Sequence, residues 1–189
     1  RWDGKKRDIL IAQNYATTSP ADLWRDLEPY VSDDRYIHVG DARLLLVHRP
    51  THIPRIREWV RGLRHAAAAS GRTLYLCAVG SQPLPSPSSL GFDAGVKFPP
   101  LGLIDLKCRP DALPPGLSPA FRGNLLEYRR AASCTVATSP RGRWHESVMP
   151  GWDNTARRAH RATIFLGSTP ERYGSWLAEA IEREHAWAD

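Results

Sequence analysis

Apolar residues in this chain form short continuous runs separated by stretches with helical spacing. The runs at 43–48 (RLLLVH) and 73–79 (TLYLCAV) predict strands covered on both faces, because neither run alternates with polar residues. Between them, apolar positions recur every three or four residues over 53–67, which predicts an amphipathic helix that opens at Pro54 and stops at Ser70-Gly71. A strand, a helix and a strand in this order predict a parallel crossover.

Two helix starts carry the same signal. Ser19-Pro20-Ala21-Asp22 and Thr169-Pro170-Glu171 each combine a capping hydroxyl, a proline at the first helical position and an acid in the first turn. The second start is followed by an apolar stripe over 173–181, which predicts a helix near the end of the chain. Residues 92–98 predict a third strand, and 162–166 predict an extended segment.

The remaining segments are less regular. Residues 125–138 favour a helix, although 133–138 alone would suit a strand, and 147–150 is short and extended. Residues 99–120 are rich in proline and glycine and predict a long excursion, which in a compact domain is often functional. The alternation of strands and helices predicts an α/β fold with parallel strands, and no linker divides residues 1–189 into two domains.

Composition argues against several classes of protein. The net charge is +6, but the arginines are spread among acids and form no basic stripe, so we expect no nucleic-acid partner. The longest apolar runs are far too short to cross a bilayer, so we expect no membrane segment. The cysteines are odd in number, widely spaced and without a Cys-x-x-Cys pair, so we expect a reducing, cytoplasmic location rather than a disulfide framework or zinc site.

The densest polar and aromatic cluster lies at 144–158. It frames Trp152, Asp153, Asn154 and Arg157 with proline and glycine and follows no amphipathic period. Sugar sites use these parts, since an aromatic face covers the C–H side of a pyranose while carboxylate, amide and guanidinium groups hydrogen-bond its hydroxyls. The alternative is a structural loop in which Asp153 caps a turn and Arg157 pairs with it.

Two further positions are candidates for contact with substrate. Asp93 lies in an otherwise apolar strand segment, where an acid is costly to bury unless it is paired, so it is either functional or a satisfied core aspartate. His48 directly follows a buried strand, and the carboxyl ends of strands hold the active sites of barrels. A lone histidine at a strand end is often structural, which is the alternative for His48.

Several kinds of catalytic site are missing from the sequence. It contains no glycine-rich phosphate loop and no Gly-x-Ser-x-Gly elbow, and the adjacent His145 and Glu146 lack the spacing of metal ligands. We therefore assign no cofactor, no metal and no catalytic residue within this sequence.

Taken together, several segments resemble one family in the same order along nearly the whole chain. They are Trp2-Asp3-Gly4, Ile11-Ala12-Gln13-Asn14-Tyr15, Leu45-Leu46-Val47-His48-Arg49-Pro50, Gly91-Phe92-Asp93-Ala94, Phe98-Pro99-Pro100 and Val148-Met149-Pro150-Gly151-Trp152-Asp153-Asn154-Thr155-Ala156-Arg157-Arg158. The chain is similar to the glycoside hydrolase family 99-like, or WbsX-type, group, which is associated with lipopolysaccharide or O-antigen biosynthesis.

The resemblance implies a (β/α)₈ barrel acting on a glycan. The related family 99 hydrolases cleave α-mannosidic bonds with retention and without a metal. One carboxylate assists attack by the substrate's own 2-hydroxyl and a second acts as general acid, unlike the covalent route of most retaining glycosidases.

Some features depart from the family pattern. The family's paired acids lie in an Asn-Glu-Trp-x-Glu segment beyond the helix that starts near Thr169, and its early strands would precede Arg1. Lys97 stands where the family more often has an acid, and His48 replaces the more usual tyrosine.

We therefore expect an internal, incomplete domain: the middle-to-late βα units of a partial (β/α)₈ TIM-like barrel. Its 189 residues are fewer than the roughly 250 of a full barrel. The expected parent is a glycoside hydrolase or glycosyltransferase that acts on a polysaccharide or O-antigen type glycan. We expect this segment alone to be inactive. Its sequence does not predict an oligomeric state.

Two rival hypotheses remain. One is a non-catalytic glycan-binding or assembly domain. The other is an enzyme complete in itself, with Asp93 and either Asp153 or Glu146 as an acid pair about 5 to 10 Å apart.

Overall fold

The structure is a computed structural model that describes residues 15, 18–80, 85–99, 109–137 and 141–186. The chain divides into two compact units. The sheet unit comprises residues 13–97 and 140–145, and the two-strand unit comprises 1–12, 98–139 and 146–189. Each unit has its own sheet and its own hydrophobic cluster.

The described residues form five α-helices and seven strands. In chain order they are α1 (Pro20–Val31), β1 (His38–Val39), β2 (Ala42–His48), α2 (Ile56–Ala69), β3 (Leu74–Gly80), β4 (Ala94–Lys97), β5 (Asn124–Glu127), α3 (Tyr128–Ala137), β6 (Trp144–His145), α4 (Thr155–Arg158), β7 (Thr163–Leu166) and α5 (Pro170–His185).

The sheet unit contains a five-stranded sheet in the order β1-β2-β3-β4-β6. The edge strand β1 is antiparallel to β2, and the other pairs are parallel. Helix α2 connects β2 to β3, so the parallel crossover expected from the sequence is confirmed. This arrangement is mixed α/β and agrees with part of a barrel, while a complete (β/α)₈ barrel remains a prediction.

One face of this sheet packs against α1 and α2. Residues opposite each other in parallel strands point to the same face, and Leu45 of β2 lies opposite Leu76 of β3. The buried core on that face comprises Trp24, Val31, Val60, Leu63, Ala67, Leu74, Leu76, Ala78 and Phe92. The alternate residues of the same strands, which include His48, Tyr75, Val79 and His145, therefore lie on the other face.

The two predicted helix starts are confirmed. At α1 the Ser19 hydroxyl accepts a hydrogen bond from the Asp22 N–H (3.1 Å), and the Asp22 side chain reaches back to the Ser19 backbone, forming a capping box. At α5 the Thr169 hydroxyl accepts from the Arg172 N–H (3.3 Å). Each cap satisfies an N–H that lacks a partner within the helix.

The loop between β2 and α2 contains backbone that L-residues rarely adopt. Arg49 has φ 51° and Arg55 has φ 49°, both in the left-handed region. Each costs roughly 1–2 kcal/mol relative to right-handed backbone. Helix α2 begins at Ile56, two residues after the predicted Pro54, and its last residue, Ala69, precedes the predicted stop at Ser70-Gly71.

The two-strand unit is built on the parallel pair β5–β7 with α3 and α5. Its buried cluster comprises Leu126, Tyr128, Ala131, Met149, Phe165 and Trp176. The rings of Tyr128 and Trp176 meet edge to face, with centroids 5.6 Å apart. The Tyr128 hydroxyl donates to the carbonyl of Met149 (2.6 Å), which ties the start of α3 to the segment that leads to Trp152.

Some sequence-based boundaries were wrong. The helix predicted from Leu125 begins only at Tyr128, because residues 124–127 pair with β7, and this tertiary pairing overrides their helical spacing. The alternative prediction, a strand over 133–138, is wrong for residues 133–137, which belong to α3. Residue 138 lies outside the described residues. The third strand spans 94–97 rather than 92–98.

The other segments predicted from the sequence are compared with the structure in turn. The extended segment at 162–166 is confirmed as β7. Residues 147–150 join no sheet, and residues 109–120 contain no helix or strand. Residues 100–108 of the predicted excursion lie outside the described residues. No helix among the described residues is long and apolar enough to cross a membrane.

Substitution of Gly123 tests the close approach of two backbone segments in the two-strand unit. A Cβ at Gly123 would overlap the carbonyl oxygen of Ala162 and come within 2.8 Å of the Ala162 nitrogen. We expect Gly123→Ala to lower the free energy of unfolding by roughly 2 kcal/mol or more, because backbone must move. Urea denaturation measures this change.

Gly174→Ala is the matched control, because nothing lies within 4 Å of a Cβ added at Gly174 in α5. It should stabilise the protein by up to about 1 kcal/mol, since alanine is the better helix former. Equal unfolding midpoints for the two alanine variants would contradict the predicted clash.

Tyr128→Phe tests the buried hydrogen bond to Met149. The substitution keeps the ring in the cluster but leaves a buried carbonyl without its donor, so we expect a loss of about 1–2 kcal/mol. The same substitution at Tyr30, which is 70% exposed, should change stability by less than about 0.5 kcal/mol. Thermal and urea unfolding of both variants provide the comparison, and an unchanged midpoint for Tyr128→Phe would rule out the hydrogen bond as a stabilising contact.

Candidate functional site

His48 is the last residue of β2 and lies on the sheet face opposite α1 and α2. Its side chain is exposed. Partial burial lowers the pKa of His48 below its usual value, and the charges of Arg49 and His52 lower it further. The imidazole is therefore mainly neutral at pH 7, so it can both donate and accept a hydrogen bond.

Asp93 lies just before β4 and connects three elements. Its Oδ2 accepts hydrogen bonds from the Leu76 N–H (2.6 Å) and from the Arg64 guanidinium of α2 (2.8 Å). Arg64 also donates to the carbonyl of Leu74 (2.8 Å). These contacts are those of a hydrogen-bonded structural aspartate. Asp93 is exposed, however, so it is not the core aspartate that the sequence left open as the alternative.

The structure does not bring Asp93 and His48 together. Asp93 bonds to β3 at Leu76, whereas His48 pairs with Val79, three residues further along the same strand. That offset corresponds to about 10 Å along a strand. Asp93 also bonds to a helix on the covered face, while His48 lies on the other. A sugar contact at Asp93 remains a prediction.

Trp152, Asp153 and Asn154 run antiparallel to β7. The Trp152 carbonyl accepts from the Phe165 N–H (2.9 Å), and Asp153 forms an isolated antiparallel bridge with Ile164. The Asn154 side-chain oxygen accepts from the Thr163 N–H (2.8 Å). Three successive residues of this loop are thus fixed to one strand, so the loop is held firmly.

Asp153 forms a turn with Thr155, the first residue of the short helix α4. Its Oδ1 accepts from the backbone N–H of Thr155 (2.7 Å) and from the Thr155 hydroxyl. The Thr155 hydroxyl and then the Thr155 N–H lower the pKa of Asp153 below its usual value. This carboxyl is therefore ionised at neutral pH and suited to accepting hydrogen bonds, whereas a general acid needs a raised pKa.

The outward side of this loop is polar and aromatic. Trp152 is 37% exposed, and Asp153 and Arg157 are exposed as well. Among the described residues, Arg157 forms no ion pair, so the suggested pairing with Asp153 is not found there. An indole, a carboxylate and a guanidinium thus face solvent from a backbone that Asn154 holds in place.

Sequence reasoning missed a polar pair in the sheet unit. The Tyr75 hydroxyl lies 3.0 Å from Nε2 of His145, with ring centroids 5.9 Å apart. Both residues lie on the sheet face that carries His48. They are 70 positions apart, and only the pairing of β3, β4 and β6 brings them together, so no local pattern could have revealed them.

The carboxyl groups of the proposed acid pairs have basic or hydroxyl partners of their own. Asp93 pairs with Arg64, and Asp153 accepts from the Thr155 hydroxyl. The Glu146 side chain is 6% exposed, and its Oε1 lies 3.4 Å from Nε of Arg183. Asp93 belongs to the sheet unit and the other two acids to the two-strand unit. Within the described part of the chain, no cluster of three His, Cys, Asp or Glu residues is arranged to hold a metal ion.

Comparison with known proteins identifies the family. The family model described as Glycosyltransferase WbsX matches residues 1–189. Uncharacterised proteins named WxcX from two strains of Xanthomonas campestris pv. campestris are 32% and 31% identical over 190 residues, covering 98% of this chain. The chain spans 27% of the length of these curated relatives. No solved structure matches. The resemblance seen in the sequence is therefore confirmed, and the chain belongs to the Glycosyltransferase WbsX family.

Proposed function

We propose that the protein containing this chain acts on glycosidic bonds of a polysaccharide or O-antigen type glycan, and that the loop at 152–157 contacts its sugars. The observation that carries this proposal is the exposed indole of Trp152 on a loop fixed to β7. A partly exposed indole beside charged groups suits a recognition surface, because tryptophan combines a large apolar ring with an N–H donor. The family description, which names a glycosyltransferase, supports the same class of substrate.

The side chains of the loop have complementary roles in this proposal. Trp152 stacks on the C–H face of a sugar ring, and the ionised Asp153 accepts hydrogen bonds from hydroxyls. Arg157 supplies several N–H donors, and Asn154 acts by positioning the backbone through Thr163. His48 is a further neutral hydrogen-bonding group in the sheet unit.

No residue of this chain is proposed to transfer the proton in the reaction. Asp153 has a lowered pKa, and the sequence contains no Asn-Glu-Trp-x-Glu segment of the kind that the family resemblance implies for the paired acids. In this proposal the acids come from another part of the protein, and the cytoplasm remains its proposed location. Proteins of this class can hydrolyse a glycosidic bond or transfer a sugar, and the products distinguish the two reactions.

Trp152→Ala in the whole protein tests the proposal. We expect the affinity for a polysaccharide of the producing organism to fall about tenfold, because the loss of stacking removes about 1 kcal/mol or more. Turnover, followed as new reducing ends for hydrolysis or as chain extension for transfer, should fall with it. Calorimetric titration and product analysis measure the two effects.

Tyr30→Ala is the matched control, since it removes an exposed aromatic ring from α1 and should change neither binding nor turnover. Unchanged affinity of the Trp152 variant would contradict the proposed contact. Strong glycan binding with no turnover under any condition would instead favour a glycan-binding or assembly domain.

Thr155→Val tests the ionisation of Asp153. Without the Thr155 hydroxyl, the pKa of Asp153 should rise toward its ordinary value. A carboxyl whose pKa is lower in the folded than in the unfolded protein stabilises the fold at pH values above its unfolded-state pKa of about 3.9. This stabilisation is lost as the pH falls through the folded-state pKa. The variant should therefore be less stable than the wild type above about pH 4, and the difference should shrink in stronger acid.

Carboxyl ¹³C chemical shifts, followed against pH, measure this pKa directly. Asp33 serves as an internal control, because Arg35 holds its pKa at about 2 and the substitution does not touch that pair. An unchanged Asp153 titration in Thr155→Val would show that the hydroxyl does not control this group.

A further inference from the structure

We propose that a pocket at the beginnings of α1 and α2 is a second sugar-binding site, one that takes a neutral hexose residue of the glycan. The helix-start pocket is a cavity of about 480 Å³ whose lining includes Tyr15, Ser19, Arg55, Glu58 and Trp59. It belongs entirely to the sheet unit. The inference rests on the proposed function for the nature of its ligand, but it concerns different residues.

The topology places this pocket on the side of the sheet where substrates of barrel enzymes bind. Helix α2 leaves the carboxyl end of β2 through residues 49–55 and returns to the amino end of β3 through residues 70–73. Its first turn therefore lies on the side where β2 ends at His48. Active sites of parallel βα folds lie on that side.

Helix α1 runs alongside α2, and its first residue lies beside the middle of that helix. Pro20 lies against Gly62, where an added Cβ would come within 3.1 Å of the proline ring. Further along both helices, the Trp24 indole donates to the hydroxyl of Ser70, which ends α2 (3.0 Å). The helices thus run in the same direction. Tyr15, Thr18 and Ser19, which precede α1, line the pocket together with the first turn of α2.

The lining combines aromatic rings with hydrogen-bonding groups. Trp59 is half-buried and packs against the core of the sheet unit, so its ring is held in place. Tyr15 is also half-buried, and the Arg55 and Glu58 side chains are 81% and 55% exposed. A rigid indole for stacking, with a guanidinium and a carboxylate for hydroxyls, is the combination that a sugar ring requires.

The charges of the pocket favour a neutral ligand. Arg55 and Glu58 lie 3.4 Å apart and compensate each other. At the start of α1, the Asp22 carboxylate accepts hydrogen bonds from the Ser19 backbone N–H and hydroxyl. This carboxylate already compensates the partial positive charge at the helix N-terminus. A phosphate or uronate would be repelled by the Glu58 carboxylate in the lining and by Asp22 at the start of α1, whereas an uncharged hexose would not be.

The left-handed backbone at Arg55 supplies a test that separates binding from folding. Glycine adopts this conformation without strain, so Arg55→Gly removes the guanidinium while suiting the backbone. Arg49→Gly is the matched control, because Arg49 lies in the same loop with nearly the same φ but does not line the pocket. Both variants should fold as well as the wild type.

Fluorine NMR of the whole protein labelled with 5-fluorotryptophan reports on the pocket and on the proposed sugar loop separately. The chain contains seven tryptophans, and Trp59→Phe and Trp152→Phe assign the two resonances that matter. The probes are methyl glycosides of glucose, galactose and mannose at up to about 50 mM, which suits weak single-sugar binding. Sodium glucuronate and inorganic phosphate are the charged comparisons.

We expect at least one neutral glycoside to shift the Trp59 resonance, and neither charged probe to do so. Arg55→Gly should weaken that response about tenfold, because hydrogen bonds to a charged group are lost, while Arg49→Gly leaves it unchanged. The pocket proposal is overturned if no neutral glycoside moves the resonance, if only a charged probe does, or if Arg55→Gly responds like the wild type.

The Trp152 resonance distinguishes this inference from the proposed function. A shift at Trp152 alone would overturn the helix-start pocket and keep the sugar loop. A shift at Trp59 alone would support the pocket and contradict the loop.

Discussion

The parallel pairing of β2 with β3 determines which side chains of the sheet unit can meet a ligand. Its register runs from Arg43 opposite Leu74 to His48 opposite Val79. Because side chains alternate along a strand, this register sends Leu45 and Leu76 toward the helices and His48 to the other face. A shift of β2 by one residue would turn His48 toward the helices and turn Leu45 and Val47 away from them. The apolar core therefore fixes the position of His48.

The same pairing explains the structural role of Asp93. A short crossover requires α2 to lie across β3 and the start of β4, and Arg64 on that helix reaches both. A guanidinium in this partly covered position needs an acceptor, and the Asp93 carboxylate supplies it while also accepting from the Leu76 N–H. The acid is thus explained by the packing of a helix on a sheet.

In the two-strand unit, the loop beside β7 divides its polar groups between structure and surface. Asn154 and the carboxylate of Asp153 bond to Thr163 and Thr155, which fixes the backbone. Trp152 and Arg157 are left exposed on that fixed backbone. Rigid support lowers the entropy lost when a ligand binds, which is why recognition residues benefit from such neighbours.

Some features of the fold depend on residues that are close in sequence, and others depend on residues that are distant. Capping at Ser19 and Thr169 and the strands β2 and β3 depend on nearby residues, and all four were predicted correctly. The prediction that both strands are covered on both faces holds for β3 but is wrong for β2, where Leu46 is 52% exposed. Leu125 and Leu126 have a spacing that suits a helix, but they form a strand because Ile164 and Phe165 lie beside them. The contact between Tyr75 and His145 and the partners of Asp93 likewise depend on residues far away in sequence. In the candidate site, composition identified the loop at 152–157, but only the structure separates its anchoring side chains from its exposed ones.

The electrostatics of the helix-start pocket agree with the neutral sugar proposed for it rather than with a phosphorylated one. A diphosphate needs N–H groups or cations that are free of carboxylates. Here Asp22 occupies the start of α1, and Glu58 lies beside Arg55. Arg55 and the start of α1 thus each have an acid close by, and a mixed polar surface of this kind beside an indole ring suits uncharged hydroxyl groups.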